Sequence, residues 1–248
     1  MSTIEITFGI CDTIFVVVSS IIGIKLLLKY VKFRKTVFLT APIAWLLLSV
    51  AWWGVSLSFI MYVLFKIRLN YILYLIIYNA TIPLSLIFWI YTYCLIICPE
   101  KKKIIVSIFS TVCIIYEILL WILIFSSPEL VATISGIYFI VPQLFAVIFK
   151  MFAVLVVLFT GIILAKRALN SGYPDIEWKG RFLLLAFVSF SISLIEVVYV
   201  GLFFEEISLL TVPLIIVFRI LMISSVFEYY LGFFLPEKLA NWLIKEKN

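Results

Sequence analysis

The sequence contains no histidine. That absence excludes histidine metal sites, histidine general bases and imidazole pH switches together. Charge is also scarce: 13% of the residues are Asp, Glu, Lys or Arg, against ~25% in an average soluble domain. The glycines of the apolar runs (Gly23, Gly54, Gly161, Gly201 and Gly232) are dispersed, whereas sites built from unwound membrane helices concentrate Gly or Pro. The four cysteines, Cys11, Cys94, Cys98 and Cys113, lie in or beside apolar runs with no exposed loop to pair across. A disulfide framework is therefore not expected. There is no Gly-x-Ser-x-Gly, no Asp dyad within an apolar run and no acidic metal motif. No catalytic residue, no metal site and no cofactor is expected, and the chain does not read as an enzyme.

What is abundant is apolar. Hydrophobic residues make up 66% of the 248 and mean hydropathy is +1.28, the composition of a polytopic membrane protein. Windows of ~20 apolar residues occur at about 8–29, 38–65, 71–98, 104–126, 137–165, 182–204 and 208–235. The first is too long for a signal-peptide core and lacks a basic leader, so it reads as a retained span. No loop is long enough to be a domain of its own. The expectation is one all-α membrane domain over residues 1–248, a bundle of seven transmembrane helices.

Basic residues orient it. Lys25, Lys29, Lys32, Arg34, Lys35, Lys101, Lys102, Lys103, Lys166, Arg167, Lys179, Arg181, Lys238, Lys245 and Lys247 fall on one side, and only Lys66 and Arg68 on the other. By the positive-inside bias the N-terminus is outside and the C-terminus inside. The +6 charge then serves orientation and contact with anionic lipid, not nucleic acid. The tail from Pro236 reads as a short amphipathic helix, about 236–246, with Leu239, Trp242 and Leu243 on one face, lying along the inner surface. It is too short to be an effector, so any signal is expected to reach a separate cytoplasmic partner at the basic inner loops.

Five ionisable residues lie deep in these windows: Glu117, Lys150, Glu196, Arg219 and Glu228. Counted from the outer boundaries at ~1.5 Å per residue, Glu117 and Asn79 lie about 14 Å in, Glu196 about 12 Å, Arg219 about 15 Å and Lys150 about 20 Å. An unpaired arginine at such depth costs at least ~2.5 kcal/mol, so Arg219 is expected to pair with Glu196 or Glu117. Asp12 reads as solitary near the outer edge. Ser189, Ser193, Glu196 and Tyr199 form a polar stripe on the sixth helix, and Gln143 stands seven residues before Lys150 on the fifth. Pro142 and Pro213 are placed to kink the fifth and seventh helices and open a vestibule. Glu228 lies toward the inside, within reach of Lys25 or the loop arginines. Three readings of this layer stay open: a structural lock of paired charges, a pocket for a small polar or zwitterionic ligand, and an ion or proton path.

Seven spans with an external N-terminus invite comparison with known families. The third span ends TYCLIICPEKKK with no DRY-like triplet, and the seventh reads SSVFEYYLGFF with no NPxxY, unlike rhodopsin-type G-protein-coupled receptors. The segment YNATIPLSLIFW is similar to the Thr-Pro-Leu region of microbial rhodopsins, but the seventh span has no lysine for a retinal Schiff base. Pro142-Gln143 and the seven-span plan echo the PQ-loop transporters, whose first span carries a second PQ motif that this one lacks. Thr81–Phe88 and Thr211–Phe218 are similar octapeptides that fit a 3+1+3 duplication. The closing segment SSVFEYYLGFFLPEKLANWL resembles the way seven-helix sensor modules of prokaryotic signalling proteins end before an effector. That resemblance implies a receptor- or sensor-like protein of the cell membrane. A small-solute or ion-coupled transporter and a ligand-free scaffold are the alternatives.

Overall fold

A computed structural model describes residues 1, 3–195 and 212–245. The elements in chain order are α1 (Thr3–Phe33), α2 (Val37–Ser49), α3 (Trp53–Phe65), α4 (Tyr71–Asn79), α5 (Thr81–Ile97), α6 (Lys102–Ser126), β1 (Ala132–Ser135), β2 (Phe139–Pro142), α7 (Leu144–Leu169), α8 (Pro174–Ser193), α9 (Val212–Phe233) and α10 (Glu237–Lys245). Among the described residues six segments are long and apolar enough to cross a membrane: Glu5–Phe33, Val37–Phe65, Tyr71–Ile97, Pro99–Ser126, Leu144–Leu169 and Pro213–Phe233. The chain is a largely helical, multi-pass membrane protein. The sixth window read from sequence, 182–204, overlaps the apolar part of α8 and continues into residues outside those described.

Two spans are broken, each for a local reason. The second passes through a 3₁₀ turn at Val50–Trp52, flanked by Ser49, whose hydroxyl donates to Leu46 O at 2.8 Å, and Ser56, which donates to Trp52 O at 3.0 Å. Such serine back-bonding competes with the helical ladder and bends it. The third breaks between Asn79 and Thr81. Pro83 lies four residues past Asn79, offers its carbonyl no N–H and crowds it with the pyrrolidine ring.

The helices close into a ring. α1 packs against both α2 and α9, α2 against α5, α5 against α7, α7 against α8, and α8 against α9. Helix α6 stands outside the ring against α5, and Ile104, Ile108, Ile115, Ile118, Ile122 and Phe125 leave its outer face exposed, as lipid contact requires. On α1 the buried residues Glu5, Phe8, Asp12, Phe15, Ser19, Ile22 and Leu26 recur at alternating intervals of three and four, one continuous inward stripe. Aromatic rings fill the C-terminal half of the ring: Trp45 stacks on Tyr229 at 4.4 Å and Trp89 meets Phe187 at 4.9 Å. Hydroxyls join the helices, Tyr229 donating to Ala41 O at 2.9 Å, Thr92 to Thr40 Oγ1 at 2.7 Å and Ser85 to Ala44 O at 2.6 Å. Helix α10 folds back on α8, with Leu243 buried and Trp242 exposed.

The one pair of strands among the described residues corrects the fifth window. It does not begin at residue 137. Residues 132–142 form an antiparallel hairpin, Ser135 opposite Phe139 and Ala132 opposite Pro142, and the helix starts at Leu144. Pro142 therefore ends a strand and kinks no helix. The hairpin covers the end of the bundle where α1 begins. Ile137 N–H donates to Glu5 Oε1 at 2.7 Å, Tyr138 Oη donates to Glu5 O at 2.6 Å, and Tyr74 Oη donates to Tyr138 O at 3.1 Å. Its turn needs Gly136, which has φ +69° and sits where a Cβ would lie 2.5 Å from Glu5 Oε1. Gly172 also has positive φ, +73°, but a Cβ there meets nothing within 4 Å.

The two glycines separate backbone strain from contact. Gly172→Ala is expected to lower the thermal unfolding midpoint by the αL penalty alone, about 1 kcal/mol, and Gly136→Ala by roughly 1 kcal/mol more. Equal shifts in a detergent unfolding assay would show that the hairpin does not rest on Glu5.

Candidate functional site

Phe8 and Asp12 are one turn apart on α1, so they face the same neighbour. That neighbour is α9, and the residue they meet is Arg219. Its Nη1 lies 3.0 Å from Asp12 Oδ1, with the two side chains 7% and 1% exposed, and its Cζ lies 4.8 Å from the centre of the Phe8 ring. Met222, the next turn of α9, brings its Sδ to 3.6 Å from Nη1. A guanidinium in an apolar bundle needs a counter-charge and a polarisable face, and α1 supplies both from a single turn. Measured from the helix ends near the hairpin, Asp12 is about 14 Å in, Arg219 about 10 Å and Lys150 about 9 Å. Lys150 is shallower than its sequence position implied because α7 starts seven residues later than the apolar window.

These three charges border a cavity of about 360 Å³, inside the ~300–1,000 Å³ range of small-molecule sites. Its walls are otherwise nearly all apolar, with Trp52 from the 3₁₀ turn, Leu86, Ala153 and Phe190 among them, and Phe139, Ile140 and Pro142 of the hairpin forming the roof. Lys150 Nζ sits 3.2 Å from the centre of the Tyr78 ring. Among the described residues no carboxylate lies within ion-pairing distance of it. Asp12 Oδ2 is buried and has no donor among the described residues. The arrangement can hold an apolar body and meet it with a few localised charges.

The other residues singled out in the sequence are dispersed around this cavity. Glu117, on α6 outside the ring, accepts a hydrogen bond from Trp121 Nε1 at 2.9 Å and does not reach Arg219. Asn79 is buried at the α4–α5 break, where its Nδ2 donates to Leu75 O at 3.0 Å. Gln143 precedes α7 and is tied to the hairpin, its backbone N–H donating to Val131 O at 3.0 Å and its Nε2 to Thr133 Oγ1 at 3.5 Å. Glu228 accepts from Ser224 Oγ at 2.7 Å and forms no ion pair with Lys25 or a loop arginine. Lys29 instead lies over the Phe234 ring at 3.7 Å, and Arg167 Nη1 donates to the C-terminal carbonyls of α5, Ile96 O at 3.0 Å and Ile97 O at 3.1 Å. Glu196 and Tyr199 lie outside the described residues.

Asp12 is the residue that the sequence reading undervalued. The hydropathy window opened at residue 8 and left it close to the surface, while the helix opens at Thr3. The three-and-four spacing from Glu5 to Leu26 was the available signal, because it extends the inward stripe a full turn before the window. None of the four cysteines is in a disulfide, and among the described residues no three Cys, Asp or Glu side chains converge as a metal site would need. No family model matches the chain, and neither a curated protein nor a solved structure matches it.

The acids differ in what neutralising them does. Glu117→Gln and Glu228→Gln each keep a hydrogen-bond acceptor and remove a carboxylate with no ion-paired cation. Both are expected to leave unfolding free energy within about 0.5 kcal/mol of wild type or to raise it. A loss of several kcal/mol in either, measured by thermal unfolding, would mean that the buried electrostatics extend well beyond α1 and α9.

Proposed function

We propose that the protein is a seven-helix integral membrane receptor or sensor, N-terminus outside and C-terminus inside, that holds a small-molecule ligand in the cavity of its outer half. The observation that carries the reading is that cavity, bordered by Lys150 and by the Asp12–Arg219 pair. Charged groups inside a membrane are expensive and face functional cavities far more often than lipid. The orientation rests on the basic residues, which gather at the end of the bundle opposite the hairpin. The sixth span includes the apolar part of α8, α10 is the surface helix at the inner face, and the basic stretch from Lys166 to Arg181 is the docking region for a cytoplasmic partner. The cell membrane is the location that fits this arrangement.

A transporter is the second reading, and one observation favours it. The second and third spans are interrupted at Val50–Trp52 and at Asn79–Thr81, and broken helices beside a cavity are common in alternating-access proteins. The hairpin roof favours the receptor, because a site closed from water on one side needs no second opening.

What travels with the purified protein tests the proposal. Ala153 is buried and lines the cavity, so Ala153→Trp fills the space. Mass spectrometry of denatured extracts is expected to find a small molecule released by wild type and missing from Ala153→Trp, and liposomes containing the wild type should retain it without translocation. Identical extracts from both proteins, with Ala153→Trp the more stable, would assign the charges to a structural lock. Movement of the compound across the liposome bilayer would make the protein a transporter.

A further inference from the structure

We infer that the ligand is a single-chain amphiphile with one negatively charged head, which enters from the bilayer between α7 and α8 and places its carboxylate on Lys150. This rests on the reading of the cavity as a ligand site and names the chemistry it takes.

Three observations carry it. The first is the wall, which solvates a hydrocarbon chain far better than a sugar or a zwitterion. The second is the charge at its border. Asp12 and Arg219 offset one another, while among the described residues Lys150 meets the Tyr78 ring and no carboxylate within ion-pairing distance. A compact ammonium over an aromatic face is well placed to accept one anion, and a monoanion neutralises it where a dianion would overcompensate. The third is the opening. The aqueous end is roofed by buried hairpin residues, Phe139, Ile140 and Pro142. The side between α7 and α8 is different: Met151, Leu155, Ile192 and Ile195 line the cavity and yet are 43%, 47%, 40% and 55% exposed. Side chains that touch both the cavity and the lipid-facing surface border a lateral gap. The volume of about 360 Å³ suits one chain and not a two-chain phospholipid.

The binding is a transfer of one molecule with no covalent change. The chain leaves lipid for an apolar wall of similar polarity, so the chain itself gives little selectivity. Selectivity comes from the carboxylate, which gains an ammonium inside the membrane plane. The inference therefore predicts strong discrimination between an acid and the matching alcohol.

The full-length protein in lipid nanodiscs is titrated with palmitate and with hexadecanol, followed by quenching of tryptophan fluorescence, and butyrate is tested as a competitor. Palmitate is expected to bind well above hexadecanol, and Lys150→Met to weaken palmitate by roughly thirtyfold while leaving hexadecanol unchanged. Butyrate should not compete. Equal binding of acid and alcohol by wild type overturns the inference without any variant and leaves the cavity reading intact, as does palmitate binding that Lys150→Met fails to alter. Competition by butyrate at similar concentration would make the ligand a small aqueous anion. Absence of binding by all three probes, with Ala153→Trp indistinguishable from wild type, would overturn the cavity reading itself.

Discussion

The contact between Asp12 and Arg219 is the constraint that organises this bundle. It joins α1 to α9, so it closes the ring that the other helix contacts leave open. Two charges removed from water cost several kcal/mol each, and their attraction offsets that only when the geometry is held. Phe8 holds one side of the guanidinium and Met222 approaches another, while the α1 stripe fixes the rotation that brings Phe8 and Asp12 round together. Glu5, one turn earlier on the same stripe, anchors the hairpin. The roof over the cavity and the ion pair at its edge therefore depend on the same face of the same helix.

The uneven distribution of aromatic side chains explains where the cavity lies. Trp45, Trp89, Phe187 and Tyr229 pack the half of the ring farther from the hairpin. Nearer the hairpin the second and third spans are interrupted, and helices that break diverge. Trp52 turns inward at one break, and Tyr78 stands beside the other with Lys150 against its ring. The cavity is bordered by these two interrupted spans and by the uninterrupted α1, α7, α8 and α9. Helix α6 takes no part in closing the ring, which is why Glu117, at a depth similar to Asp12, has an indole for company and not a guanidinium.

Much of the architecture was legible in the sequence, because hydropathy reports transfer into lipid and that transfer dominates the folding of such a chain. Six of the apolar windows correspond to helices within a few residues at most ends. What hydropathy cannot resolve is the conformation of apolar residues outside the bilayer. The stretch 137–142 reads as the start of a span, since a buried strand is as apolar as a helix. Only Gly136 and the β-branched residues Val131, Thr133, Ile134, Ile140 and Val141 hinted at a turn between strands. The same blindness displaced Lys150 inward and Asp12 outward by several ångströms each. The need for a counter-charge to Arg219 was correctly inferred from cost alone. Its identity was not, because the ring places α1 against α9 just as it places α8 there. Two acids proposed for it have different fates: Glu117 is turned to Trp121, and Glu196 lies outside the described residues.

A double-mutant cycle on Asp12→Asn and Arg219→Met, read as unfolding free energy in nanodiscs, tests the closing contact most directly. The account predicts that each single change costs about 3–5 kcal/mol, because each leaves a buried group without its counterpart. The double variant should recover much of that loss, with a coupling energy above about 1 kcal/mol. Losses that simply add would contradict it, since the first and last helices would then be held together by packing, and the charges would have to be explained without one another.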